Sequence, residues 1–284
     1  MKIAAFSYTY PPHLQANIGD CIQTLAVEQH LPRVDFHIDR DSLSSYDGEE
    51  CALVMNGWFS HNPQAWPPSP RIHPIFYGFH MTPEAAAAYA QHVAWFKRFE
   101  PIGCRDQATM NTLKGWGVDA YLSLCSTLTF PRRSVEPQRR LVVFADVRPR
   151  RFPKAFRSNA VTSAHEIAPV EPSAQYALAR AILDFYREKA SYVITSRIHA
   201  AMPCMAMGIP TLYVGRRNHR TDILREAGVP ERSIWDKRAP GTMLRGMRLS
   251  DADFYVGEFD HLRRQAAERI GADLKRLGIE PRPS

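Results

Sequence analysis

In the segment Ser196-Arg197-Ile198-His199, a guanidinium and an imidazole stand two residues apart where the apolar run SYVIT gives way to AAMPCMAMG. Arginine offers a planar fork of donors for phosphate or carboxylate, and histidine titrates near neutrality, so the pair suits an anion receptor with an acid–base group beside it. A helix start carries unpaired N–H groups and the positive end of the dipole, which attract anions and disfavour a bare cation. Arg197 and His199 are therefore costly there unless an anion binds among them. The other reading puts Arg197 in solvent and His199 in the core, and the residue types leave both open. Ser196 is expected to cap the helix, Gly208 to end it in a left-handed turn and Pro210 to prevent its continuation. Pro203 removes the donor that would reach the His199 carbonyl, which predicts a late start or a kink.

Ligand crevices of open parallel sheets lie beyond the carboxyl ends of the strands, so other polar residues at such positions carry weight. Asn17, Gly19 and Asp20 follow the first apolar run; Gly19 suits a close backbone approach, and Asp20 is either a helix cap or a base. Trp58 and His80, together with Phe79, offer a platform for a sugar face or simply pack between loop and core. In GCRD, Arg105 and Asp106 read as a crevice pair, with Asp106 a catalytic candidate as an acceptor-side base or orienter, or as a local ion pair at a helix start. Cys104 has no histidine partner in sequence, which argues against a thiol nucleophile. Arg148 and Arg216 follow later strands and extend the anion-binding set.

The elements that must position these residues alternate along the chain, the mark of a mainly parallel α/β protein. Strands are predicted at KIAAFSY, CALVMNG, PIFYGF, PIGCR, DAYLSL, RLVVFAD, SYVITS and TLYVG. Helices are predicted at DCIQTLAVEQH, PEAAAAYAQHVAWFKRF, DQATMNTLKGWG, QYALARAILDFYREKA and, as an amphipathic stripe, FYVGEFDHLRRQAAERIGADLKRLG. The length of 284 residues suits two domains, and the break is placed in FPRRSVEPQRR, giving 1–134 and 135–284. The segment 148–161 reads as a mobile loop near a site.

Composition narrows the class. Hydrophobic residues make up 45% and charged residues 23%, with no apolar run of spanning length and no signal peptide pattern at the N-terminus, so a cytoplasmic protein is expected. Five cysteines without CxxC spacing predict neither a disulfide framework nor zinc, and no metal-ligand pattern is visible. A net charge of +7, dominated by arginine, favours an anionic partner. The basic residues are scattered and match no nucleic-acid motif, so a small anion or an anionic membrane surface is the expected partner rather than nucleic acid. The basic C-terminal stripe either packs on its own protein or touches a membrane peripherally.

Taken together, N-x-G-D (Asn17, Gly19, Asp20), x-R-D (Arg105, Asp106) and S-R-x-H…G-x-P (Ser196, Arg197, His199, Gly208, Pro210) resemble the polysaccharide pyruvyl transferase family. The resemblance implies two Rossmann-like domains facing across a cleft, similar to GT-B glycosyltransferases. It also implies pyruvyl transfer from phosphoenolpyruvate to a sugar of a cell-surface glycan or its lipid-linked precursor, at or near the inner face of the cytoplasmic membrane, with no cofactor. Arg197 and His199 match the family's donor-binding arginine and catalytic histidine; Arg148 matches a further donor arginine less closely. The donor would then fall to 135–284 and the acceptor to 1–134. The sequence departs from the family after DAYLSL, where CSTLTF replaces an aspartate and proline. A glycosyltransferase using a nucleotide-activated sugar, such as a CMP-linked acidic sugar, and a non-catalytic glycan-binding module are the alternatives. Acceptor identity and oligomeric state are not encoded in any motif.

Overall fold

The computed structural model describes residues 1–59, 62–215, 221–236, 250 and 252–282. The runs KIAAFS, CALVMNGW and IHPIFYGFH are buried along nearly their whole length rather than at alternate positions, as strands covered on both faces must be. In chain order the strands are β1 (Lys2–Ser7), β2 (Ala16–Asn17), β3 (Phe36–Asp39), β4 (Cys51–Trp58), β5 (Ile72–His80), β6 (Ile102–Cys104), β7 (Ala120–Leu122), β8 (Val142–Ala145), β9 (Ala160–Ser163), β10 (Glu166–Ile167), β11 (Tyr192–Thr195), β12 (Thr211–Gly215) and β13 (Ile234–Asp236). The α-helices are α1 (Ile18–Glu28), α2 (Pro83–Tyr89), α3 (Val93–Lys97), α4 (Gln107–Gly115), α5 (Lys154–Arg157), α6 (Pro172–Lys189), α7 (Ile198–Ala206), α8 (Asp222–Glu226) and α9 (Asp260–Arg276).

The chain divides into two compact units and, in place of the single break expected near residue 134, passes between them four times. Unit 1 comprises Met1–Thr9, Gln23–Ser126 and His261–Ser284; unit 2 comprises Tyr10–Ile22 and Thr127–Asp260. The segment 130–140, where the break is expected, lies inside unit 2. Local sequence carries no sign that residues 10–22 and 261–284 join the other unit, because that choice is made by packing distant in sequence.

Unit 1 holds a six-stranded sheet in the order β3-β1-β4-β5-β6-β7, with every pair parallel. Its core includes Ile3, Val27, Val54, Ile75 and Tyr77, closed by Ala266, Ile270 and Leu274 of α9. The apolar stripe of α9 is thus spent on this core, and an interfacial membrane role would need another face of the helix. No helix among the described residues is long and apolar enough to cross a membrane. The single helix expected over 83–99 is broken into α2, a 3₁₀ turn (Ala90–His92) and α3. Trp66, in the proline-rich loop before β5, is buried, with its ring centroid 4.6 Å from that of Tyr89 and 5.5 Å from that of Phe96.

Unit 2 holds a five-stranded parallel sheet, β13-β12-β11-β8-β9, and the short antiparallel pair β2–β10. The segment 148–161 is not an open loop. Phe152 and Phe156 anchor it to Phe144, Ile194 and Leu212, and it contains a 3₁₀ turn, α5 and the start of β9. Its charged residues hid two aromatic anchors whose spacing fits the turn they occupy.

Candidate functional site

Ala145, Ser163 and Thr195 lie in register at the carboxyl ends of β8, β9 and β11. Whatever follows each strand is therefore gathered at one edge of the unit 2 sheet. Asp146 takes a left-handed backbone (φ 53°), which aspartate tolerates better than most residues. Its amide donates to the Ser163 carbonyl at 3.0 Å, and its carboxylate accepts from the His165 amide at 3.1 Å and from Arg197 Nε at 2.7 Å. The far end of Arg197 pairs with both oxygens of Glu166: Nη1 with Oε1 at 2.8 Å and Nη2 with Oε2 at 2.7 Å. Burial opposes the Arg197 charge, but the Glu166 and Asp146 carboxylates outweigh it and raise the guanidinium above its ordinary value.

Arg197 is the N-cap residue of α7, and no side chain caps that helix end. Ser196 does not serve as the cap. Its hydroxyl donates to the Asp146 carbonyl at 3.0 Å, while Thr195 Oγ1 accepts the Arg197 amide at 2.9 Å, so both hydroxyls act on the turn that precedes the helix. The helix starts at Ile198 and runs through Pro203, which is buried inside it. Since an i−4 bond would reach His199, that residue's carbonyl gives up its partner within the helix. The exit is a Schellman turn: Ile209 N donates to the Cys204 carbonyl at 2.9 Å and Gly208 N to Met205 at 3.2 Å, with Gly208 at φ 78°.

The N-x-G-D residues belong to the same unit. β2 pairs with β10 so that Asn17 faces Glu166, and the Ile18 amide donates to the His165 carbonyl at 2.9 Å. Asn17 opens α1: its Oδ1 accepts the Gly19 amide at 3.1 Å and its Nδ2 donates to Asp20 Oδ1 at 3.2 Å. Tyr10 donates to the other Asp20 oxygen at 2.8 Å. The cap is thus Asn17, and Asp20 in the first turn is half-buried and doubly bonded. A Cβ on Gly19 would lie 3.0 Å from Asn17 Oδ1, 3.1 Å from His199 Nδ1 and 3.2 Å from His199 Cβ. Gly19 is there because His199 comes this close to the backbone. Asn17, Gly19, Asp20, Ser196, Arg197 and His199 therefore form one cluster, instead of being split between an acceptor domain and a donor domain. Arg148 is exposed at the start of the 3₁₀ turn after β8, and its guanidinium has no hydrogen bond or ion pair among the described residues.

The remaining candidates lie elsewhere. In unit 1, the Asp106 carboxylate caps α4 through the Thr109 amide at 2.9 Å, pairs with His80 Nδ1 and stands 3.7 Å from Arg105 Nε. Burial pushes the Asp106 carboxyl up, but His80, Arg105 and the Thr109 amide pull harder and hold it at about 2. His80, Arg105 and Asp106 are all buried and contact one another, the arrangement of the local-pair reading. Phe79 is fully buried against Phe59 and Trp66, and only Trp58, half-buried at the end of β4, retains exposure from the expected sugar platform. Arg216 lies outside the described residues. All five cysteines are buried and none is in a disulfide, and burial pushes the Cys104 thiol well up, the opposite of an activated nucleophile. Among the described residues no group of acidic, histidine and cysteine side chains is arranged to hold a metal.

Three members of this network have no signature in sequence: Tyr10, His165 and Glu166. Strands β2 and β10 are two residues long, too short for any periodicity to show. His165 is fully buried, with Nε2 2.9 Å from the Tyr186 hydroxyl; burial, aided by Arg197 and opposed by Asp146, pushes it down to about 4.

A model of the polysaccharide pyruvyl transferase family matches residues 17–218, a span that begins at Asn17 and takes in the whole His199 cluster except Tyr10. The chain belongs to that family. The pyruvyl transferase match assigns it to a family of transferases and agrees with the S-R-x-H and N-x-G-D resemblance. No curated protein matches the chain. Among solved structures, that of an uncharacterised protein from Klebsiella pneumoniae subsp. pneumoniae has a TM-score of 0.48 at 12% identity, covering 82% of this chain and 92% of that one.

Proposed function

We propose that the chain transfers the enolpyruvyl-derived group of phosphoenolpyruvate onto two hydroxyls of a glycan, or of its lipid-linked precursor, and leaves a pyruvate ketal. The observation that carries this reading is the packing of His199 against Gly19 at the start of α7, next to Arg197, within a chain of the pyruvyl transferase family. Arg197, the exposed Arg148 and the open N-terminus of α7 are receptors for the donor's phosphate and carboxylate. His199 is the acid–base group.

In this reading His199 gives a proton to the donor's methylene carbon, which becomes a methyl group and leaves a cationic centre at the neighbouring carbon. A first sugar hydroxyl attacks that centre and its proton returns to the imidazole. A second hydroxyl closes the ring as the carbon–oxygen bond to phosphate breaks, and its proton leaves with inorganic phosphate. Two carbon–oxygen bonds form and one breaks, and no redox step is required. Asp20, held by Tyr10 and Asn17, orients an acceptor hydroxyl or takes its proton.

The test is phosphate release from phosphoenolpyruvate across a panel of bacterial oligosaccharides. His199→Ala is expected to lower kcat by about 10²–10⁴-fold, the range of a lost general acid–base group. Wild-type turnover in that variant, or thermal stabilisation by CMP and not by phosphoenolpyruvate, would overturn the reading.

A further inference from the structure

The geometry points to Glu166 as a built-in competitor for the anionic donor, an inference that rests on Arg197 being a donor receptor. Arginine presents a lateral edge at Nε and an end-on fork at its two terminal nitrogens. Asp146 takes the lateral edge and Glu166 fills the fork with two nearly equal contacts, 2.8 and 2.7 Å. A phosphate or carboxylate binding bidentately to Arg197 end-on needs the position that the Glu166 carboxylate holds.

The two carboxylates are not equivalent. The Asp146 side chain is 17% exposed and also accepts the His165 amide, so it is built into the turn. The Glu166 side chain is 42% exposed, and solvent-facing ion pairs contribute little net stability. An incoming dianion would displace Glu166 at small cost while Asp146 keeps the guanidinium aimed. The same carboxylate would return to the fork as inorganic phosphate leaves, so Glu166 weakens donor binding and speeds product release together. Its placement opposite Asn17 on the β2–β10 pair makes this competitor part of the scaffold of the N-x-G-D turn.

The experiment compares the full-length wild type with Glu166→Gln, which keeps the shape and removes the charge, and with the double variant Glu166→Gln/Arg197→Gln. Affinity for inorganic phosphate is read by calorimetry, and donor KM and inhibition by added phosphate by turnover. Glu166→Gln is expected to bind phosphate three- to tenfold more tightly, with a lower donor KM and stronger phosphate inhibition; the double variant loses the gain. Unchanged or weaker phosphate binding in a folded Glu166→Gln protein would overturn the inference and make Glu166 a positioning residue for Arg197. Tighter phosphate binding without turnover of phosphoenolpyruvate would leave the competitor standing and remove the donor assignment. Turnover with the same KM in both proteins would do the reverse.

Discussion

His199 owes its surroundings to the absence of a side chain at residue 19. An added Cβ would meet His199 Nδ1 at 3.1 Å and Asn17 Oδ1 at 3.0 Å, closer than ordinary packing allows, so Gly19→Val must move the imidazole or the cap. We expect Gly19→Val to lower kcat at least tenfold, while the thermal transition falls by only a few degrees; an unchanged kcat would show that the imidazole position is not critical. The residue pair Arg197 and His199 was legible in sequence because both stand where a strand ends and a glycine and proline close the helix that follows. The partners of Arg197 were not. Asp146 and Glu166 reach it across 51 and 31 residues of chain, and no local pattern encodes a pairing of that kind.

At the scale of elements, the carboxyl edge of each sheet collects polar residues, but the two edges use them differently. At the unit 1 edge, Asp106 both caps α4 and pairs with His80 and Arg105. Removing one member of a buried ion pair costs several kcal/mol because the other charge is left behind, so Asp106→Ala is expected to destabilise by about 3 kcal/mol in denaturant titration. The Asp106 carboxyl lies at about 2 in the folded protein against 3.8 ordinarily, so its contribution is full above pH 4 and is lost as the pH falls through 2. A loss of turnover in Asp106→Asn beyond that explained by unfolding would restore its catalytic assignment. Eight strands and most long helices were readable from apolar runs and helical spacing. The strands β2, β3, β9, β10 and β13 were not, since each mixes polar with apolar residues over two to four positions and their pairing is decided by neighbours in the sheet.

At the scale of the molecule, each unit holds a buried histidine whose surroundings favour the neutral ring. Burial, with Arg263 and Arg282 adding to it, pushes His30 in unit 1 down to about 4, and His165 in unit 2 stands at a similar value. Because the unfolded chain takes up these protons near 6.5, stability is full above that pH and falls as the pH drops toward 4, by roughly 3 kcal/mol for each histidine. Thermal melts between pH 7 and 4 check this, and His30→Gln is expected to flatten the slope by about half; an unaltered slope would mean that other groups govern acid sensitivity. The division into units also sets an order of assembly. Ile270 and Leu274 of α9 are completely buried in the core of unit 1, yet they are synthesised only after all of Thr127–Asp260. On the ribosome, the unit that begins first is completed last, and through that interval the faces of Val54 and Tyr77 that α9 will cover lack their partner helix.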